Sequence, residues 1–231
     1  MVRAVFVLLF VAAIATGVWY MVTHFPRATS EVAPDSASTE TSQPSTIPIV
    51  SLSPLGAPCG GRCGYERWHV KTLSDVDRDR VVLQPVEATV EQLAVIPRPG
   101  RLPQDRRAGA AELATYEVIG CLGVLDRQPE SDGDIHLVIG GLVDRRLSLI
   151  AEIPSPDCEG VCQSGLGSVY ARVRATLDSV LASGRVSAEC NNDVPLIRVT
   201  GVGFFDRPHG QIGAAPNNIE LHPVLAVDFP R

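Results

Sequence analysis

One helical stripe set among strand patterns constrains this chain most. Leu166, Val169, Tyr170, Val173, Leu177, Val180 and Leu181 recur at helical spacing, which gathers them on one face of a helix. Arg172, Arg174, Asp178 and Ser179 fall off that face. Ser164 or Ser168 suits the start of the helix and Gly184 its end. The flanking segments have period two instead. "TYEVIGCLGVLD", Thr115 to Asp126, is rich in small and β-branched residues. In "DIHLVIG", Asp134 to Gly140, Ile135, Leu137 and Ile139 point one way and Asp134, His136 and Val138 the other. "RLSLIAEIP" repeats the pattern with Leu147, Leu149, Ala151 and Ile153, and Pro154 and Pro156 stop it. "PLIRVTGVGFFD" and "IELHPVLAVDF" follow the helix; in the second, Ile219, Leu221, Leu225, Val227 and Phe229 share a face. The chain therefore reads as mostly β with one main helix, in the order strand, strand, strand, helix, strand, strand. Gly201 and Gly203 suit the curvature of a closed barrel.

That order resembles the five-stranded OB-fold barrel, whose helix lies between the third and fourth strands; a plain α+β sandwich is the rival. The segments "WHVKTLSD", "DGDIHLVI", "EIPSPDC", "VTGVGFFD" and "HGQIGAAPNNIELHPV" together resemble a group of uncharacterised bacterial exported or membrane-anchored proteins, over Trp68 to Phe229. The resemblance implies an extracytoplasmic barrel and brings no activity with it. Nuclease-like OB-fold enzymes carry Asp/Arg/Glu motifs that have no convincing match here, and fold alone does not give function.

The ends of the chain place the barrel. Ala4 to Val22, "AVFVLLFVAAIATGVWYMV", is uncharged and has the length of a membrane span, roughly 17–25 residues. Residues 1–27 read as an uncleaved anchor; a cleaved signal ending near Ala13-Ile14-Ala15, leaving a secreted protein, is the alternative. Residues 28–58 are dominated by Ser, Thr, Pro and Ala, without a periodic apolar face, and read as a disordered stalk. Residues 59–111 form an irregular N-terminal arm. Within it "RWHVKTLSD" has a strand-like pattern, and "TVEQLAVI" a short helix with Thr89 and Gln92 in capping-box positions. Residues 112–231 are the barrel domain. The localisation expected is a single-pass membrane protein with its C-terminal domain outside the cytoplasm.

Six cysteines behind an exported N-terminus predict disulfides. The expected participants are Cys59, Cys63, Cys158, Cys162 and Cys190, with Cys121 the buried exception inside a strand. A four-thiolate zinc site built from "CGGRC" and "CEGVC" is the alternative. The net charge is −6. Arg3 and Arg27, and then Glu31, Asp35 and Glu40, are the only charged side chains before Cys59, so the remainder stands at −5. That balance disfavours nucleic acid as a partner, because phosphates need a cationic surface.

Polar residues concentrate around two loops that OB-folds use for ligands, Arg127 to Gly133 and Arg207 to Asn218. Asp132, His209, Gln211 and Asn217 are candidate ligand-binding residues. Asp134, His136, Glu152, Glu220 and His222 are candidate metal ligands, since imidazole and carboxylate at one barrel end suit a divalent ion. No organic cofactor is expected. A hairpin turn centred near Val143 sets Asp134 opposite Glu152 and His136 opposite Ile150, a repulsive carboxylate pair that needs a cation or a proton. A polar network that only holds the barrel together is the competing account of all these residues. The chain lacks a nucleophile elbow, a phosphate-binding glycine loop and a helical zinc motif. Two functions remain: a ligand-binding or structural envelope module recognising glycan or protein, or a metal-assisted hydrolase of phosphodiester or glycan.

Overall fold

The computed structural model describes residues 60–126, 132–183, 189–191 and 194–230. The anchor, the stalk, Cys59 and Gly184 lie outside the described residues. Among those described, no helix is long and apolar enough to cross a membrane.

The elements in chain order are α1 (Trp68–Lys71), β1 (Val82–Ala88), α2 (Val90–Ala94), β2 (Ala114–Asp126), β3 (Ile135–Gly140), β4 (Ser148–Ile153), α3 (Glu159–Ser164), α4 (Gly167–Ser183), β5 (Glu189–Asn191), β6 (Val194–Phe205) and β7 (Ile219–Asp228). Strands β2, β3, β4, β7 and β6 follow one another, and β6 pairs back onto β2, closing a five-stranded barrel. Only β4 and β7 run parallel within it. The barrel and the strand order therefore stand as read, and so does the long helix between the third and fourth barrel strands.

One apolar cluster collects Val118 and Leu122 of β2, Leu137 and Ile139 of β3, Leu149 and Ala151 of β4, Leu221 of β7 and Val199 of β6. Side chains from all five strands meet only in the lumen, so this face is the interior. The α4 stripe, through Tyr170, Val173 and Leu177, joins the same cluster. The alternate residues His136, Val138, Ile150, Glu152, Phe204, Glu220 and His222 point outward, yet they too are buried. The N-terminal arm covers them: Arg67 and Lys71 lie over the Phe204 ring, 4.8 and 5.5 Å from its centroid. The loop after β6 adds to the cover. Gly213, at φ +89°, lies so close over Val138 that a Cβ there would meet its methyls at 2.5 Å.

Several local expectations are corrected. "RWHVKTLSD" is a helical turn rather than a strand, because Val70 and Leu73, three residues apart, are both fully buried. The arm contributes a strand, β1, which pairs parallel with the first half of β2. α3 precedes α4 and ends at Gly165, whose φ of 73° is the left-handed C-cap conformation. The β3–β4 hairpin closes one residue later than a turn at Val143: Gly140 pairs with Ser148, so His136 faces Glu152 and Val138 faces Ile150. Glu91 of α2 holds that turn, accepting the Val143 and Asp144 amides at 3.0 Å each. The α2 capping box between Thr89 and Gln92 is present as expected.

The cysteines pair across the structure. Cys63 joins Cys158, tying the arm to the segment before α3, with Cα atoms 5.1 Å apart. Cys121 joins Cys190, so the cysteine expected to be a free thiol is a disulfide partner. Its strand faces β5, a short strand that the apolar pattern did not mark. Cys162 is oxidised as well. Thiolates spent in these bonds cannot form the alternative zinc site.

Candidate functional site: a buried histidine and carboxylate cluster

Three strands bring the cluster together on the outer barrel face. The β3–β4 register puts His136 beside Glu152, and the parallel β4–β7 register, Ile150 with Glu220, carries His222 to the same level. Asp134 arrives from the turn before β3, fixed by the Ser155 amide at 2.9 Å. His222 then stands between two acids. Its Nδ1 is 2.8 Å from Glu152 Oε2 and its Nε2 is 3.3 Å from Asp134 Oδ2. His136 Nδ1 reaches the other Glu152 oxygen at 3.2 Å. Lys71, the only lysine of the chain, comes down from α1 to 3.7 Å from Glu152 Oε2. Asp134, Glu152 and His222 are 5, 2 and 0% exposed.

Charge decides the protonation here. A neutral imidazole carries one lone pair and would point it at a carboxylate, whereas an imidazolium offers a proton to each. Burial disfavours the charge on His222, but Glu152 and Asp134 outweigh it and raise its pKa above the ordinary 6.5. Glu152 is opposed by its own burial too, yet His222, His136 and Lys71 hold it well below the usual carboxylate range. Asp134 goes the other way: burial dominates over His222 and raises its pKa. Burial likewise works against the Lys71 ammonium, and Glu152, Asp206, Glu220 and Asp134 overcome it and raise its pKa.

The structure thus gathers four of the five expected metal candidates, Asp134, His136, Glu152 and His222. Glu220, 1% exposed, lies on the same face and acts through its charge on Lys71. One ligand atom each from Asp134, Glu152 and His222 lie within 4.8 Å of one another.

The candidate ligand residues take other places. His209 Nε2 is 2.7 Å from Asp206 Oδ2, at the surface end of a buried carboxylate that also acts on Lys71. The Asn217 amide donates to the Leu93 and Ile96 carbonyls at 2.8 and 2.9 Å, pinning the loop to the arm. Asp132 accepts the Asp134 amide at 3.2 Å. Gln211 lies partly exposed in the loop.

Sequence reasoning missed a second polar cluster under the same arm. Arg67 and Glu112, both 0% exposed, form a two-pronged pair at 2.7 and 2.8 Å. Arg67 also donates to the carbonyls of Pro103, Arg106 and Phe205. Glu112 also accepts the Phe205 amide at 2.8 Å. Arg107 and Asp75 form a second buried pair at 2.7 Å. Nothing in the spacing of these residues brings them together; only the cover of the barrel by the arm does. No protein-family model matches the chain, and no curated protein and no solved structure matches it either.

Proposed function

We propose that the chain is a membrane-tethered extracytoplasmic binding module on an OB-type barrel, in which the His222 cluster is structural. The helix between the third and fourth strands of a closed five-stranded barrel supports the OB-type reading. The observation that carries the functional one is the burial of Asp134, Glu152 and His222 beneath Lys71. A general acid or base must reach the proton it moves, and these groups are covered by the protein's own arm. Lys71 supplies a positive charge beside Glu152, and His222, protonated between two acids, completes the compensation. The apolar run at Ala4–Val22 and the oxidised cysteines support a position outside the cytoplasm.

A second reading, a divalent-metal hydrolase, draws on the three donor groups lying within 4.8 Å of one another. Metal and proton compete for the same His222 lone pair. Elemental analysis of the full chain, purified without chelator and then titrated with zinc and manganese, separates the two. The structural reading expects substoichiometric metal and no change in thermal stability on titration. One equivalent of metal, lost in His222→Ala, would replace it with the hydrolase.

A further inference from the structure

Arg98, Arg101 and Arg207 converge on one open groove of about 560 Å³, walled by Gly100, Leu102, Pro103 and Gln104. We propose that this groove binds an oxyanion, a phosphate or a carboxylate, carried on an extracytoplasmic polymer. The proposal rests on the binding-module reading and names the site and ligand chemistry that reading lacks.

Three arginines lining one concavity stand out in a chain of net charge −6. Like charges repel, so such a gathering favours an anion between them. Each planar fork matches the two oxygens of a carboxylate or phosphate. Two of the three are held in place while keeping donors to spare. Arg98 gives one nitrogen to the Asp206 carbonyl at 3.0 Å. Arg207 Nε is ion-paired with Glu66 Oε1 at 2.8 Å. Arg101 is exposed and has no ion-pair partner among the described residues. Glu66 is therefore the one described carboxylate bonded to any of the three.

The groove is also built rather than loose. Its wall lacks regular structure, yet Arg67, fully buried, takes the carbonyls of Pro103 and Arg106 from behind. Pro97, Pro99 and Pro103 restrict the same segment. A wall already ordered lowers the entropy lost on binding. Arg207 opens the loop expected from the sequence to recognise ligand; the other two arginines come from the arm.

The test is calorimetric titration of the detergent-solubilised full chain, at low ionic strength, with inorganic phosphate, a glycerol-phosphate oligomer and trigalacturonate. Binding of the glycerol-phosphate oligomer alone assigns a phosphodiester polymer, and of trigalacturonate alone a carboxylate one. Arg101→Ala should weaken binding about tenfold without moving the melting temperature, as loss of one charged hydrogen-bonding group predicts. Glu66→Gln should tighten binding, because it removes the one carboxylate charge that competes with the ligand for Arg207; a merely structural role for these residues predicts no gain. No heat with any probe at millimolar concentration, or unchanged affinity in Arg101→Ala, overturns the proposal. Metal on the His222 cluster would sink the module reading and leave the anion titration as it is, so the two failures are distinguishable.

Discussion

Two buried ion clusters lie beneath the same arm, and they are made differently. In one, Arg67 meets Glu112 and Arg107 meets Asp75, one guanidinium to one carboxylate, and the surplus donors find backbone carbonyls. In the other, Lys71 and His222 stand among Asp134, Glu152, Glu220 and Asp206, two cations shared by four carboxylates. Guanidinium does not give up its proton in the range where proteins work. Imidazolium does. The first cluster is a fixed fastener, and the second weakens when His222 loses its proton.

Breaking the fixed cluster should have the largest effect. Glu112→Ala leaves the buried Arg67 charge uncompensated and should cost about 3–5 kcal/mol, read as a fall in the urea midpoint. Arg67→Met with Glu112→Leu should recover part of that loss, because neither charge then remains. A double variant no more stable than the single would show that the carbonyl contacts of Arg67, rather than its ion pair, fasten the arm. In the second cluster, His222→Leu leaves Asp134 and Glu152 without the imidazolium, but Lys71 remains beside Glu152. The expected cost at neutral pH is smaller, about 2–3 kcal/mol.

The two clusters were not equally legible in the sequence. Period-two alternation placed His136, Glu152, Glu220 and His222 on faces, and the hairpin brought two of them together whatever its exact turn. Slipping the hairpin centre by one residue moves each pairing by two, which keeps the faces and changes only the partners. That is why the cluster survived the wrong register while Asp134 and Glu152 lost their direct opposition. Arg67, Asp75, Arg107 and Glu112 were illegible for the opposite reason. They sit in irregular chain, where no period relates them, and a buried arginine looks like any surface arginine until its cover is known. Cys121 misled because an apolar strand position suits a thiol and a disulfide equally, and β5 is too short to announce itself.

Acidity separates the clusters further. His222 has a raised pKa, so the stability it contributes is whole below the ordinary 6.5 and is lost as pH rises through the folded value. Asp134, also raised, acts in the same direction. Glu152, depressed, contributes above its ordinary 4.5 and loses this as pH falls through its folded value. The contributions of Glu152 and His222 are therefore both whole between their ordinary values, 4.5 and 6.5, and that of Asp134 is lost as pH rises through its own raised value. Urea midpoints should therefore fall as pH rises from 6 to 9, as His222 loses its charge beside the acids. His222→Leu should flatten that slope. A slope that persists in the variant would assign it to another group.

The smallest effect should come from His209, at the margin of the titrating cluster. Its ring is 45% exposed, and its one described partner is the buried carboxylate of Asp206 at 2.7 Å. Half-exposed pairs are screened by solvent, and the mobile ring loses entropy in forming the contact, so His209→Ala should cost under about 1 kcal/mol. Asp206 would keep the attraction of Lys71, which its charge helps to hold protonated. The loop itself is fastened elsewhere, by Asn217 to Leu93 of α2 and to Ile96 just beyond it. His209→Ala should therefore leave the melting temperature close to that of the unaltered chain. A loss as large as that of His222→Leu would mean that Asp206 and His209 belong to the cluster proper, and that the titrating network extends from the barrel wall to the surface.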